Sequence, residues 1–560
     1  MKDIYWHIQM HLPEGKGGTV IDSEKMLLEN PPVIGTGEWD DKQCRNFKGE
    51  DNGMKIGDIV MVRVGNIPLA LCEILDDYFA DNELEKKYIN RLYRHVKILD
   101  WNVTKEKNTL FSQGTLKPLY KWKDTDSWHY INNWYKRVLK NNKMNNLIDI
   151  LKVKHQIILQ GAPGTGKTYT AKDVAEQLIF GKTSETKQEQ KEKLENSEQY
   201  KLVQFHPSYT YEDFVRGIVV ETETGAPNYK TIDKILGEFA KKALRNWEDS
   251  KKTVEEISKE QGYEEALNNY KEHINEKLAN GEEVKILGPS AHIVQIDNDS
   301  FRYSFKDRPG IIYTLLFSDI IKVALNIESV TKRIDIENLG LKMKGKYPYY
   351  YFFFESFQSY IKEQNILIAQ KEYKVDEKNY VLVIDEINRA NLPAILGELI
   401  YALEYRGESV ESIYSIDGEN KLMLPPNLYI IGTMNTADRS VGQIDYAIRR
   451  RFAFVDMLPH ALNDVDGFDF ELFEKVSNLF IENYDEYKNN FKVTLKRSEY
   501  LSEEFRPEDV WLGHSYFIMK KDGKDNREMR LNYEIKPILK EYLKDGILKS
   551  NAEDIINSLL

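Results

Sequence analysis

A short glycine-rich segment has the residue types and spacing of a phosphate-binding loop, Gly161-Ala-Pro-Gly-Thr-Gly-Lys-Thr168. It follows the run Gln156-Ile-Ile-Leu159 and precedes a helix-like run from Tyr169 to Leu178, the strand, loop and helix order that such a loop requires. Glycines let backbone N–H groups turn towards phosphates, Lys167 is predicted to reach the β- and γ-phosphates, and the Thr168 hydroxyl is predicted to hold Mg²⁺. The predicted nucleotide-binding residues are Gly161, Ala162, Pro163, Gly164, Thr165, Gly166, Lys167, Thr168 and Tyr169.

Two adjacent acids, Asp385 and Glu386, end the apolar run Val381-Leu-Val-Ile384. A continuously apolar strand is typical of a parallel sheet covered on both faces, and the carboxyl end of such a strand faces the ligand crevice. Asp385 is therefore predicted to support Mg²⁺, and Glu386 to polarise the attacking water. Beside a phosphate loop, this interpretation is favoured over an ordinary strand that ends in a turn.

A further apolar run, Leu428-Tyr-Ile-Ile-Gly-Thr-Met434, ends in Asn435, whose amide can hydrogen-bond both the γ-phosphate and the water. The basic run Tyr446-Ala-Ile-Arg-Arg-Arg451 follows it. A guanidinium neutralises transition-state charge, so these arginines can complete a neighbouring subunit's site; a surface basic cluster is the alternative. The predicted catalytic residues of the chain's own site are Lys167, Asp385, Glu386 and Asn435, and the predicted metal ligands are Thr168 and Asp385.

Composition narrows the class of protein. The chain has 560 residues, 41% of them hydrophobic, which is enough for several domains with sizeable cores. Its net charge of −12 argues against wholesale coating of nucleic acid, although a local basic patch stays possible. Two cysteines, Cys44 and Cys72, are too few for a disulfide framework or a structural zinc site. With no apolar signal core or long apolar run, we expect a cytoplasmic protein with no membrane partner.

The elements that must position these residues fall into successive segments. Residues 1–115 are predicted to be mostly β, with a hairpin formed by Asp58–Val64 and Leu69–Ile74. Residues 116–146 are basic and aromatic and predict a helical connector, or simply a solvated helix face. Residues 147–457 form the predicted α/β nucleotide domain, interrupted by an insertion at about 250–370. Within it, 181–199 lacks apolar periodicity and is predicted to be a surface excursion or loop.

Several longer strings make the chain resemble a known family. The strand with its Asn and the trailing arginines are similar to ring-forming AAA+ nucleotidases. Three strings resemble the GTPase subunit of McrBC-type modification-dependent restriction systems, the McrB family. They are Gln204-Phe-His-Pro-Ser-Tyr-Thr-Tyr-Glu-Asp-Phe-Val-Arg-Gly217, Asp385-Glu-Ile-Asn-Arg-Ala-Asn391 and Met434-Asn-Thr-Ala-Asp-Arg-Ser440. Trp511-Leu-Gly-His-Ser-Tyr-Phe517 resembles part of that family's C-terminal lid, which predicts a helical lid over 458–560.

The resemblance implies more than the residues do. It implies an α/β AAA+ P-loop fold, GTP (or ATP) with Mg²⁺, a homo-oligomeric hexameric ring, and GTP hydrolysis coupled to DNA translocation. It also implies cleavage by an McrC-like nuclease partner, and no convincing nuclease triad stands out in this chain. By the same resemblance, Arg450 and Arg451 match the catalytic arginines that act in a neighbouring subunit's site, and Arg439 joins them as an interface candidate. The alternatives are a MoxR-like AAA+ ATPase that remodels protein complexes, and a nucleotide-gated nucleic-acid-binding module with little motor activity.

The N-terminal segment lies outside that resemblance. It is weakly similar to small PUA-like barrels of the EVE type, which hold a flipped modified base in an aromatic cage. Stacking on aromatic faces offsets the cost of flipping. Trp6, Trp39 and Trp101 are the base-reading candidates for modified DNA, and each is alternatively a core or surface tryptophan.

Overall fold

The computed structural model describes residues 4–10, 20–37, 41–88, 90–104, 116–123, 125–221, 227–285, 291–326, 336, 339, 341, 347–368, 374–416, 419–438, 444–462, 465–491, 493–519 and 526–559. The chain forms two compact units. The first unit comprises Met1–Asp149, Phe470–Ser502 and Leu548–Leu559, and the second comprises Ile150–Asp469 and Glu503–Ile547. Among the described residues, no helix combines the length and apolar character needed to cross a membrane.

The strands and helices alternate along much of the chain. The strands are β1 (Ile4–Gln9), β2 (Val33–Thr36), β3 (Ile59–Val64), β4 (Ile67–Ile74), β5 (Leu92–Trp101), β6 (Leu116–Tyr120), β7 (Gln156–Gly161), β8 (Tyr200–Gln204), β9 (Arg216–Glu221), β10 (Asn228–Asp233), β11 (Ala291–Ile296), β12 (Ser300–Phe305), β13 (Arg308–Leu316), β14 (Tyr380–Asp385), β15 (Ser409–Ile416), β16 (Glu419–Met423), β17 (Leu428–Asn435) and β18 (Ala453–Asp456). The helices are Val20–Leu27, Asp41–Lys48, Asn82–Tyr88, Thr125–Lys154, Lys167–Phe180, Lys187–Glu195, Tyr211–Phe214, Ile235–Lys251, Val254–Ala279, Phe317–Leu325, Tyr347–Glu363, Leu392–Leu396, Leu399–Glu404, Tyr446–Arg451, Phe470–Ser477, Tyr484–Asn489, Pro507–Val510, Arg527–Arg530, Lys536–Lys544 and Glu553–Ser558. Shorter helical turns are Ile387–Arg389, His514–Phe517, Leu531–Ile535 and Ser550–Ala552.

The first unit contains a mixed sheet. Its described strands run in the order β2-β5-β4-β3-β1-β6, with β1 and β3 parallel and the other neighbours antiparallel. The predicted hairpin is confirmed as β3 and β4. The connector predicted over 116–146 begins differently, because β6 is an edge strand of this sheet. The helix Thr125–Lys154 then packs its apolar residues against one face of the sheet.

Side chains of β1 alternate between the two faces of that sheet, as a strand requires. Tyr5 packs with Trp128 and Trp134 of the helix Thr125–Lys154 and donates a hydrogen bond to Asn132 Oδ1 at 3.0 Å. Trp6 points into the opposite core. The helix is therefore part of the first unit's core over this stretch, which explains why the segment is rich in aromatic residues.

The second unit is built on a parallel sheet. Its described strands run in the order β18-β7-β17-β14-β8, and every neighbouring pair is parallel. Ile157, Ile158 and Leu159 of β7 are fully buried, as expected for a central strand covered on both faces. In the register, Asn435 pairs with Gly161. The carboxyl ends of β7 and β17 therefore meet at one edge, and the predicted α/β class is confirmed.

The residues that follow the helix Ile235–Lys251 have a core of their own. The helices Val254–Ala279, Phe317–Leu325 and Tyr347–Glu363 pack with the antiparallel sheet β11-β12-β13. The helix Ile235–Lys251 instead buries Leu236, Phe239 and Ala243 in the core of the parallel sheet. The division between these cores lies close to residue 250, where the insertion was predicted to begin.

A helix replaces part of the predicted loop at 181–199. Thr186 caps the helix Lys187–Glu195 by accepting a hydrogen bond from the Glu189 backbone at 3.2 Å. Gln190 is buried and donates to Asp173 Oδ1 at 2.8 Å and to Glu176 Oε2 at 2.9 Å. The loop prediction was wrong here because this helix is held by polar contacts, which leave no apolar periodicity in the sequence.

Candidate nucleotide-binding site

The glycine-rich segment forms the turn between β7 and the helix Lys167–Phe180. Gly164 and Gly166 have φ angles of 80° and 78°, in the left-handed region that favours glycine. Their conformation lets the chain leave the strand and enter the helix within a few residues. The helix N-terminus is thereby placed at the carboxyl edge of the sheet, where unpaired N–H groups attract anions.

Lys167 lies at the first turn of that helix and is largely buried. Its Nζ donates hydrogen bonds to the carbonyl oxygens of Gly161 at 2.9 Å and Ala162 at 2.8 Å. Burial lowers the pKa of Lys167 to about 8, although the nearby carboxylates of Glu386 and Asp385 act to raise it. Phosphate oxygens would supply the negative charge that favours the protonated form of this amine.

Asp385 and Thr168 come together as the sequence predicts. Asp385 Oδ1 accepts hydrogen bonds from Thr168 Oγ1 at 2.7 Å and from Thr433 Oγ1 at 2.5 Å. A hydroxyl and a carboxylate are the oxygen donors that Mg²⁺ prefers, usually together with water and phosphate oxygens. The two predicted ligands therefore fit a magnesium ion that also binds a triphosphate.

Glu386 follows Asp385 in an uncommon backbone conformation. Its φ of 55° lies in the left-handed region, which costs a non-glycine residue about 1–3 kcal/mol. The Glu386 backbone N–H donates to Thr433 Oγ1 at 3.1 Å, and its carboxylate accepts from Asn435 Nδ2 and from Arg389 Nε, the latter at 3.0 Å. The strained turn directs the carboxylate across the sheet edge towards Asn435, a contact that the sequence did not predict.

Asn435 is also held from its backbone. Asn388 Nδ2 donates to the Asn435 carbonyl oxygen at 3.1 Å, and Asn388 is itself buried. The neighbouring Thr436 donates from its backbone to the Gly161 carbonyl at 3.2 Å. The strand end that carries Asn435 is thus fastened both to the turn after Glu386 and to the start of the phosphate loop.

Arg450 and Arg451 share one acid in the structure. Both guanidinium groups contact Glu404 Oε2, Arg450 at 2.8 Å and Arg451 at 3.0 Å. The Arg450 side chain is 69% exposed, whereas that of Arg451 is 13% exposed and also donates to the Ala447 carbonyl. Of the two, Arg450 is the one presented for contact with another molecule. The third interface candidate, Arg439, lies outside the described residues.

The base-reading candidates of the first unit have separate outcomes. Trp6 is 2% exposed, packs in the sheet core, and donates from Nε1 to Asp58 Oδ2 at 3.0 Å. The structure contradicts its predicted role, because neither face of the indole is free to stack on a base. Trp101, paired with Ala70 at the end of β5, is partly exposed and stays a prediction. Trp39 lies outside the described residues.

Four contributors to the nucleotide site went unrecognised in the sequence: Thr433, Asn388, Arg389 and Glu404. Thr433 had a usable signal, because it lies two residues before Asn435 on the same strand and shares its face. Asn388 and Arg389 stand within the string Asp385–Asn391, yet nothing in their spacing shows which groups they contact. Glu404 had no local signal, since it lies 46 residues from Arg450.

Comparisons with known proteins agree with this geometry. A family model described as the AAA domain of the dynein-related subfamily matches residues 355–452, which include Asp385, Asn435 and Arg450. The type IV methyl-directed restriction enzyme EcoKMcrB subunit of Escherichia coli (strain K12) is 39% identical over 197 residues, covering 32% of this chain and 40% of that protein. The type II restriction enzyme BsuMI component YdiS of Bacillus subtilis (strain 168) is 29% identical over 196 residues, covering 32% of this chain and 52% of its own length.

The chain therefore matches about half the length, or less, of these curated relatives. The matched AAA model includes the strand ends that carry Asp385 and Asn435, and these meet the phosphate loop at one sheet edge. The strings at Asp385 and Met434 that resemble the McrB family lie in the same region. Over this region, the chain is similar to McrB-type AAA+ proteins.

Proposed function

We propose that this chain is the nucleoside-triphosphate-hydrolysing motor subunit of a restriction system, with GTP as its preferred substrate. One observation carries the proposal: Lys167, Thr168, Asp385, Glu386 and Asn435 converge at the carboxyl edge of one parallel sheet. The similarity to two restriction-enzyme subunits supports the choice of system. The preference for GTP over ATP rests on the family resemblance alone.

The site residues divide the work of hydrolysis. Lys167 exchanges its two carbonyl partners for phosphate oxygens and stabilises their charge. Thr168 and Asp385 hold Mg²⁺, which neutralises charge on the phosphates when it is bound. Glu386 accepts a hydrogen bond from the attacking water and polarises it. Asn435, already bonded to Glu386, orients that carboxylate and the water between it and the γ-phosphate.

The proposal includes an assembly. Arg450 is exposed on the helix Tyr446–Arg451 and is suited to neutralise transition-state charge in the site of a second copy of the chain. A homo-oligomeric ring, hexameric by family resemblance, provides that arrangement. DNA translocation and activation of an McrC-like nuclease follow from the same resemblance. We assign recognition of modified DNA to the first unit.

Replacing Glu386 with Gln tests the hydrolysis step. The variant keeps the size and hydrogen-bonding reach of the side chain but loses the carboxylate, so we expect turnover to fall by about 10²- to 10³-fold while nucleotide binding persists. Turnover of GTP and ATP by the purified chain, with equilibrium binding as the control, measures both effects. Retained turnover would contradict the role of Glu386.

The same assay separates the proposed system from a protein-remodelling ATPase. GTP turnover that rises on addition of an McrC-like nuclease supports the restriction motor. ATP turnover that rises only with a protein client, and not with the nuclease, would overturn it in favour of the MoxR-like alternative. DNA cutting by the purified chain alone, persisting after Lys167→Ala, would contradict the need for a separate nuclease.

A further inference from the structure

The string Trp511–Phe517, here called the lid segment, lies directly on the phosphate loop. Trp511, Leu512 and Phe517 are fully buried and anchor both ends of the segment. Between them, the Gly513 N–H donates to the Pro163 carbonyl and the Ser515 N–H to the Gly164 carbonyl, both at 3.0 Å. The lid segment therefore pairs with the phosphate loop through backbone hydrogen bonds, like a short piece of sheet.

The two backbones approach so closely that only glycine fits at the contact. A Cβ atom on Gly513 would lie 2.0 Å from the carbonyl carbon of Gly164 and 2.4 Å from the Pro163 oxygen. A Cβ atom on Gly164 would in turn lie 2.6 Å from Ser515 Oγ. Gly513 has a φ of −69°, which any residue adopts. The reason for glycine at 513 is thus the space taken by the loop and not its own backbone conformation.

The lid segment is also tied to the strand end that carries Asn435. Thr436 Oγ1 donates to the Asp509 carbonyl oxygen at 2.6 Å, just before the lid segment begins. Within the segment, His514 lies over Gly166, with Nε2 3.4 Å from the position of a Cβ atom there. Residues 509–515 therefore contact both sides of the nucleotide site, the phosphate loop and the strand end that carries Asn435.

We infer that Gly513 is a positioning residue for nucleotide binding, because it lets the lid segment hold the phosphate loop in its binding conformation. A phosphate loop binds its ligand through N–H groups, whereas the lid segment occupies carbonyl groups of the same loop. Both partners can therefore be bound at once. By linkage, a lid that orders the loop raises nucleotide affinity, and bound nucleotide strengthens lid docking by the same factor.

Replacing Gly513 with Ala tests this inference, which rests on the proposed nucleotide site but not on turnover. The added methyl group must displace the loop or the lid, so we expect the dissociation constants of fluorescent mant-GTP and mant-ATP to rise about tenfold or more. Gly546→Ala is the matched control, because Gly546 belongs to the same compact unit and, among the described residues, only its chain neighbours come within 4 Å of its Cβ position. The φ of 70° at Gly546 makes an alanine there strained, but the added methyl group does not touch the phosphate loop. The dissociation constants for nucleotide should therefore stay within about twofold of those of the unmodified chain.

Amide hydrogen exchange on the nucleotide-free chain supplies a readout independent of binding. We expect Gly513→Ala to lower protection of the amides at Gly513 and Ser515 and of the peptide spanning 161–168, and Gly546→Ala to leave them unchanged. Added nucleotide should raise protection of the lid amides in the original chain. Unchanged affinity and exchange in Gly513→Ala, or equal losses in both variants, would overturn the inference.

These outcomes stay separate from those that test the proposed function. A chain that binds nucleotide without hydrolysing it would refute the motor while leaving the Gly513 result intact. A chain that hydrolyses GTP with the same affinity in Gly513→Ala would refute the inference alone. If the chain bound neither nucleotide, the exchange measurement on the nucleotide-free protein would still decide whether the lid segment holds the loop.

Discussion

The two main sheets of this protein differ in how directly their residue types reveal their function. In the parallel sheet of the second unit, chemically active side chains follow the apolar strands β7, β14 and β17 at their carboxyl ends. In the mixed sheet of the first unit, polar and aromatic side chains occur along the strands themselves and on both faces. The residues of the nucleotide site could be predicted from the sequence of the parallel sheet, whereas the base-reading residues could not be predicted reliably from the sequence of the mixed sheet.

The difference has a geometric origin. Parallel strands end at one edge, so a side chain placed just after any of them reaches the same crevice. A residue inside a strand instead faces one of two sides, and a shift of a single position reverses its direction. Trp6 shows this, because its neighbour Tyr5 faces the helix Thr125–Lys154 while Trp6 lies in the opposite core. Both side chains are buried, and residue type alone did not determine which face of the sheet each of them occupies.

The largest expected effect tests whether the sheet-edge site is complete within one chain. Arg450→Ala should reduce turnover by about 10³-fold if this guanidinium acts in a neighbouring site. Arg451→Ala should mainly lower stability, because that side chain is largely buried against its own helix. Steady-state turnover at protein concentrations that favour self-association, with thermal unfolding in parallel, separates the two variants.

Mixing subunits provides the control for Arg450. An Arg450→Ala subunit keeps its own sheet-edge residues, and a Glu386→Gln subunit keeps its arginine. Where they meet, one interface regains both, so the mixture should be more active than either variant alone. An inactive mixture would show that Arg450 serves its own site or only the fold, and that the parallel sheet needs no second copy.

A smaller effect sharpens the comparison by titrating a residue of the parallel sheet's edge. Burial holds the pKa of Lys167 at about 8, well below its ordinary 10.5, in the free chain. Nucleotide binding needs the protonated amine, so affinity should fall as the pH rises above about 8, by at most tenfold per pH unit.

Folding responds to the same titration with the opposite sign. Between about pH 8 and 10.5 the unfolded chain keeps the Lys167 proton and the folded chain loses it, so the nucleotide-free protein gains stability from this group as the pH rises. Mant-nucleotide titrations and denaturant unfolding across this range measure the two trends. In Lys167→Arg, which stays charged, both trends should disappear, and a flat affinity profile for the original chain would contradict the assignment.

The smallest effect belongs to the mixed sheet. Trp6→Phe removes the hydrogen bond to Asp58 and part of a buried side chain, which should cost about 1–3 kcal/mol of stability. Nucleotide turnover, which depends on the second unit, should not change. Denaturant unfolding and GTP turnover of the same preparation check both statements, and lost turnover in a folded variant would contradict them.

Trp101→Ala is the companion variant for base recognition. It should reduce any preference of the chain for methylated over plain oligonucleotides, whereas Trp6→Phe should leave that preference intact. If both variants, or neither, altered the preference, base reading by Trp101 would have to be abandoned.

Much of the second unit was predictable because its signals are local. The loop at 161–168 and the strand ends at Asp385 and Asn435 each carry their own pattern of apolar run and polar end. The helix Lys187–Glu195 was missed because buried amide and carboxylate groups hold it, and such contacts produce no apolar period. Strand β6 was missed because Leu116–Tyr120 is short and contains Pro118, and its partner β1 is more than a hundred residues distant in sequence.

The contacts that complete the site depend on tertiary structure in the same way. The sequence around Gly513 does not predict that its N–H donates to the Pro163 carbonyl. The sequence around Glu404 does not predict that its carboxylate contacts Arg450 and Arg451. Such pairs arise when separate elements meet at the end of folding. In a single sequence, the residues of the nucleotide site are therefore easier to recognise than the residues that hold those side chains in place.

Glu404 has a consequence for any exchange of partners by Arg450. To reach a second copy of the chain, Arg450 must leave the Glu404 carboxylate. If that left Glu404 without a counter-ion, the loss of this ion pair would make the movement less favourable. Arg451 stays in contact at 3.0 Å, so Glu404 keeps one cation throughout. Departure of the exposed Arg450 then costs little, because ion pairs between solvent-exposed side chains are weak. Because Arg451 still neutralises Glu404, Arg450 can contact another copy of the chain without leaving an unpaired carboxylate behind.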